Sequence, residues 1–87
     1  MEVPSDIQQR YLERRKKDLE ECLNYLERHH FEEIEKVGHQ LKGNGVTFGH
    51  PELSEIGKKM ESAAHAHDKE SVEVILKDFS QWVHTLH

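Results

Sequence analysis

Phe31, Ile34, Gly38, Leu41, Gly45 and Phe48 follow one another at intervals of three, four, three, four and three residues. A side chain turns by about 100° per residue on an α-helix, so this spacing places all six positions on one seam. Glycine thins that seam. Inside a helix each glycine costs about 1 kcal/mol relative to alanine. Gly38, Gly43 and Gly45 in one helical stretch therefore imply that the space beside the backbone has a use. On the same wheel His39 lies roughly 130° from the centre of the seam, on the wet side. The pattern displays a histidine on a helix whose opposite face packs closely.

The remainder of the chain has the same period. Ser5-Asp6-Ile7-Gln8 reads as a capping box that starts a first helix. Ile7, Tyr11, Leu19, Cys22, Leu23 and Leu26 carry its stripe to about Arg28. Arg15 fills the gap between Tyr11 and Leu19, where its stem can cover the core while its charge reaches water. The run Arg14-Arg15-Lys16-Lys17, set between Glu13 and Asp18, reads as a solvated face. The second helix runs from Phe31 to about Thr47, with Glu32, Glu33 and Glu35 at its positive end, Phe48 plugging the core and Gly49 turning the chain.

Pro51 opens a third helix, since its missing amide costs nothing in a first turn. That helix buries Leu53, Ile56, Gly57, Met60, Ala63 and Ala64 and ends between His65 and His67. Asp68 caps a fourth, whose stripe is Val72, Ile75, Leu76, Phe79, Val83 and Leu86, with Trp82 partly buried at its side. Four amphipathic helices with short connections predict an all-α fold, an antiparallel four-helix bundle forming one domain over residues 1–87.

Several classes of function are disfavoured. A net charge of −5 argues against a general nucleic-acid binder. A single cysteine, Cys22, forms no internal disulfide and sits on an apolar stripe as a small hydrophobe. No apolar run approaches a membrane span and Met1-Glu2-Val3-Pro4 is no signal peptide, so the expected location is the cytoplasm.

His39-Gln40-Leu41-Lys42-Gly43, continued by Phe48-Gly49, resembles the signature of histidine phosphotransfer (HPt) domains. These are helical bundles that relay a phosphoryl group in two-component signalling. The proline-started next helix and the lengths on either side of the motif extend the resemblance over most of the chain. It implies that His39 is the phosphoacceptor. It also implies a residue on the next helix that fixes the imidazole tautomer, and Glu61 occupies the corresponding position, with Glu55 a weaker substitute. Partners are a response-regulator receiver domain, a hybrid sensor histidine kinase, or both. Mg²⁺ and the catalytic aspartate are expected in the receiver, and this chain is expected to act as a monomeric phosphoryl carrier with no ATP or metal site of its own.

The chemistry of the residues agrees. A neutral imidazole, with an ordinary pKa near 6.5, offers one nucleophilic nitrogen at neutral pH. Lys42, one turn on, can offset phosphoryl charge, and Gly43 leaves bare backbone where a partner approaches. The docking face would comprise His39, Lys42, Gly43 and Val46 with Tyr11, Leu12 or Arg15 of the first helix. Lys58 is a candidate for extra positive charge. His50 stands where some members of the family carry an apolar residue, which implies a wetter loop; a second histidine there raises a competing acceptor only as a disfavoured alternative. Two alternatives remain open at this level: an adaptor bundle without phosphotransfer, and metal binding by the eight histidines. Against the latter, His29-His30 and His65/His67 share no helix face, His84 and His87 sit at a terminus, and no zinc-module spacing is present.

Overall fold

Pro4, with φ −53° and ψ 145°, feeds an extended entry straight into α1 (Ser5–Glu27). The computed structural model describes residues 3–86, so Met1, Glu2 and His87, and with them part of the leader and His84/His87 readings, lie outside the described residues. The capping box does not form, because no side chain caps α1. Gln8 is instead drawn to a segment forty residues on, where its Nε2 donates to the Phe48 carbonyl at 3.0 Å. Its Oε1 accepts from His50 Nε2, also at 3.0 Å. Two tertiary partners outcompete the local one.

The other helices are α2 (Phe31–Thr47), α3 (Pro51–His65) and α4 (Lys69–His84), and no strand occurs among the described residues. As expected, Pro51 occupies the first turn of α3. Asp68 caps α4 by accepting from the Ser71 amide at 3.2 Å. The helices pack as a ring in chain order, α1 on α2, α2 on α3, α3 on α4 and α4 back on α1, with α2 and α3 the most intimate pair. Cys22, Ile34, Leu41, Leu53, Met60, Val72 and Phe79 fill the centre. Ile7 and Leu23, expected on the buried stripe of α1, are exposed. No helix among the described residues is long and apolar enough to cross a membrane.

Three helices end in the same way. His29, Gly49 and His67 have φ of 58°, 86° and 55°, each just past the helix. The following amides turn back, His30 to the Tyr25 carbonyl at 2.8 Å, His50 to Gly45 at 2.8 Å and Asp68 to Ala63 at 3.0 Å. This is the left-handed termination that satisfies orphan carbonyls, and glycine is its usual residue. Two histidines accept the steric cost here, so part of the histidine abundance belongs to chain reversal.

Arg15 departs most from expectation. Its charge does not reach water: Nε lies 2.7 Å from Asp18 Oδ2, and Asp18 is 1% exposed. Arg14 adds a second contact to Asp18 at 3.0 Å, so two of the four basic residues turn towards this carboxylate rather than forming a solvated strip. The Arg15 guanidinium also lies over the Tyr11 ring at 4.5 Å, a cation–π contact. Burial pushes the Asp18 carboxyl up against the pull of Arg15 and Arg14. Neighbouring Cys22 is pushed up to about 12, first by burial, which leaves it an inert thiol.

Candidate functional site

The site begins with two glycines. A Cβ on Gly38 would lie 2.6 Å from the Glu61 amide nitrogen and 2.8 Å from the Gly57 carbonyl oxygen. A Cβ on Gly57 would lie 2.5 Å from the Lys42 nitrogen. Only hydrogen fits at either position, so α2 and α3 touch backbone to backbone. That approach carries Glu61 across to α2. Its Oε2 lies 2.8 Å from His39 Nδ1 and its Oε1 lies 2.7 Å from Lys42 Nζ. One carboxylate therefore holds both His39 and Lys42 of the motif.

The electrostatics follow from these contacts. The Lys42 hydrogen bond, and after it the His39 hydrogen bond, hold the Glu61 carboxyl below its usual range. An ionised carboxylate only accepts, so Nδ1 of the ring carries the proton and donates. Nε2 makes no hydrogen bond to any described residue, and the His39 side chain is 68% exposed. A neutral ring in this arrangement presents the Nε2 lone pair to solvent.

Gly43, one turn after His39, has nothing within 4 Å of where a Cβ would stand. Its open flank is continuous with exposed Val46. Helix one contributes less to this face than expected, because Tyr11 and Arg15 are buried and Leu12 is half-buried. Tyr11 stacks on Phe48 at 4.1 Å and donates to Asn44 Oδ1 at 2.6 Å. Asn44 thereby ties α1 to the helix that carries His39, a role that nothing in its sequence context announces.

Glu55 and Lys58 line a groove between α3 and α4, and neither makes an ion pair with the His39 group. His50 is not in a wet loop. Its ring lies between Tyr11, stacked at 5.8 Å, and Trp82, met edge-on at 5.3 Å. With Nε2 bonded to Gln8 and Nδ1 3.7 Å from Glu52, it is poorly placed to compete as an acceptor. Among the described residues no group of three or more His, Cys, Asp or Glu side chains could hold a metal ion.

Fold and geometry together define a four-helix bundle that presents a carboxylate-tied, solvent-facing histidine from its second helix. The model of the Hpt domain family matches residues 6–87, and the chain belongs to that family, whose members carry phosphoryl groups in two-component signalling. No curated protein and no solved structure matches the chain.

Proposed function

We propose that His39 is the phosphoacceptor of this domain and exchanges a phosphoryl group with the aspartate of a receiver domain. The observation that carries the reading is the contact of Glu61 with His39 Nδ1, which leaves Nε2 as the only free ring nitrogen. In the accepting direction the Nε2 lone pair attacks phosphorus of the aspartyl phosphate. The P–O bond to the aspartate breaks, and its electron pair leaves on the carboxylate. Nδ1 keeps its proton, shared with Glu61, so the positive charge that develops on the ring has a carboxylate beside it. The reverse step returns the group by breaking the Nε2–P bond.

Lys42 begins on Glu61 Oε1 and follows the incoming phosphoryl oxygens by rotating its flexible stem. Gly43 keeps the approach path clear. The receiver supplies Mg²⁺ and the reacting aspartate, or a hybrid kinase supplies them through its own receiver module. This chain supplies a positioned nucleophile, acting in the cytoplasm as a monomer.

The experiment mixes the protein with phosphorylated receiver and Mg²⁺ and follows acid-labile label on a phosphate-affinity gel. Transfer to the wild type and none to His39→Gln is expected. Equal labelling of the His39→Gln variant would remove His39 from the role. Failure of the folded wild type with every cognate receiver would favour an adaptor bundle instead.

A further inference from the structure

The α2–α3 face carries a second pair built like the first. Glu35 and His39 stand four residues apart on α2, and Glu61 and His65 stand four apart on α3. Because the helices run antiparallel, each glutamate meets the other helix's histidine. His65 Nδ1 lies 3.0 Å from Glu35 Oε2, matching the 2.8 Å of His39 to Glu61. The two pairs are separated by about one turn, roughly 6 Å along α2. The His65 side chain is 78% exposed, and its Nε2 has no partner among the described residues. Among those residues, only His39 and His65 tie Nδ1 to a carboxylate within 3.0 Å.

We propose that His65 is a second phosphoryl acceptor, reacting through Nε2 with small phosphoramidate or acyl-phosphate donors. The geometry prepares the same nucleophile as at His39: a fixed tautomer, a lone pair in solvent and a carboxylate against the developing imidazolium. The Nε2 lone pair forms the new P–N bond while the donor's P–N or P–O bond breaks. The leaving amine takes a proton from water, or the leaving carboxylate departs as the anion. Nδ1 keeps its proton towards Glu35 throughout.

One part is missing. Three residues after His39 stands Lys42, whereas three after His65 stands Asp68, already committed to Ser71 at the start of α4. Among the described residues no lysine or arginine pairs with Glu35. A phosphoryl group on His65 therefore lacks a charge-assisted hydrogen bond, which slows its arrival by about tenfold relative to His39. This restricts His65 to small donors that need no docked partner. The inference borrows its chemistry from the reading of His39, and the two remain separable because each names its own histidine.

The test incubates ¹⁵N-labelled full-length protein with potassium phosphoramidate and follows ³¹P and long-range ¹H–¹⁵N spectra. Two phosphoimidazoles are expected, both linked through Nε2, the slower at His65. His39→Gln should keep the slower signal and His65→Gln should lose it. Glu35→Ala, at a half-buried helical position, in a variant whose folding is checked by its amide spectrum, should turn His65 labelling into a mixture of Nδ1 and Nε2 adducts. Labelling of His65 no faster than that of His29, His30 and His67, or none in His39→Gln, overturns the proposal while leaving His39 untouched. Labelling of His65 with His39 silent supports the proposal and counts against the reading of His39.

Discussion

The Arg15–Asp18 pair on α1 and the His39–Glu61–Lys42 group between α2 and α3 are made of the same parts: basic side chains closed on one carboxylate. Their carboxyl groups nonetheless shift in opposite directions. Burial raises Asp18 despite two arginines, whereas hydrogen bonds from Lys42 and His39 lower Glu61. Solvent makes the difference. Sealed from water, a carboxylate loses more hydration than its partners return, and its worth lies in shape. At the surface the desolvation is small, the ion pair adds little stability, and the carboxylate is free to set the state of an imidazole. One cluster is sealed inside the bundle; the other lies beside a solvent-facing imidazole.

The contrast can be broken most forcefully at its buried end. Asp18→Leu removes both carboxylate oxygens, leaving the buried Arg15 guanidinium without its partner, and should cost about 3–5 kcal/mol, read from the urea midpoint. Replacing both residues, Arg15→Met with Asp18→Leu, should recover most of that loss. A double variant as unstable as the single one would mean that the pair does more than neutralise itself. Next in size, Gly57→Ala drives a methyl group against the Lys42 backbone at 2.5 Å and should cost about 1–3 kcal/mol. The same variant should loosen the Glu61–His39 contact, seen as a shift of the imidazole nitrogens, because that contact depends on the helix approach.

Acid titration sharpens the comparison by sign. Asp18 has a raised folded-state value, so its contribution is fully present below the ordinary 3.8 and is lost as pH rises through its higher value. Glu61 has a lowered one, so its contribution is present above the ordinary 4.5 and fades as pH falls through its lower value. Stability measured from pH 7 downwards should show an upturn from Asp18 that Asp18→Asn removes. A curve unchanged in the variant would mean that Asp18 ionises in the fold as it does in water.

The smallest stability effects lie at the exposed end. Gly43→Ala, with open space around it, should stabilise by up to about 1 kcal/mol and yet slow phosphoryl exchange with a receiver. Unchanged exchange would remove Gly43 from the docking path. Glu61→Ala should move the unfolding free energy by no more than about 0.5 kcal/mol. It should also populate both neutral tautomers of His39 in nitrogen spectra. A spectrum like the wild type would detach Glu61 from the site.

What the sequence disclosed about the fold follows the range of the forces involved. The helices were legible because apolar spacing along α2, α3 and α4 is a local signal that burial merely completes. Pro51 and Asp68 were legible for the same reason: each acts within one turn. Gln8 misled because its real partners, Phe48 and His50, are some forty residues away. The left-handed ends at His29 and His67 went unseen because the customary glycine is absent. The stem of Arg15 does cover the core, but its charge closes on Asp18 three residues on, a contact that apolar spacing does not signal. At the candidate site, His39, Lys42 and Gly43 are contiguous enough to be read together. Glu61 came from family resemblance, since nothing periodic marks it, and Asn44 left no signal because its role exists only once Tyr11 is packed.

The crossed pattern of glutamate and histidine on α2 and α3 also acts as an alignment code. Sliding α3 by one turn in one direction would set Glu61 opposite Glu35; sliding it the other way would set His65 opposite His39. The first error opposes two negative charges, and the second strands both imidazoles without an acceptor. Any slip also moves Gly57 away from Gly38, the bare position of α2 that faces it. The hairpin is thus proofread twice, by charge on its wet side and by van der Waals contact on its dry side. The distance from Glu61 to His39 is inherited from that double check rather than set by the two side chains alone.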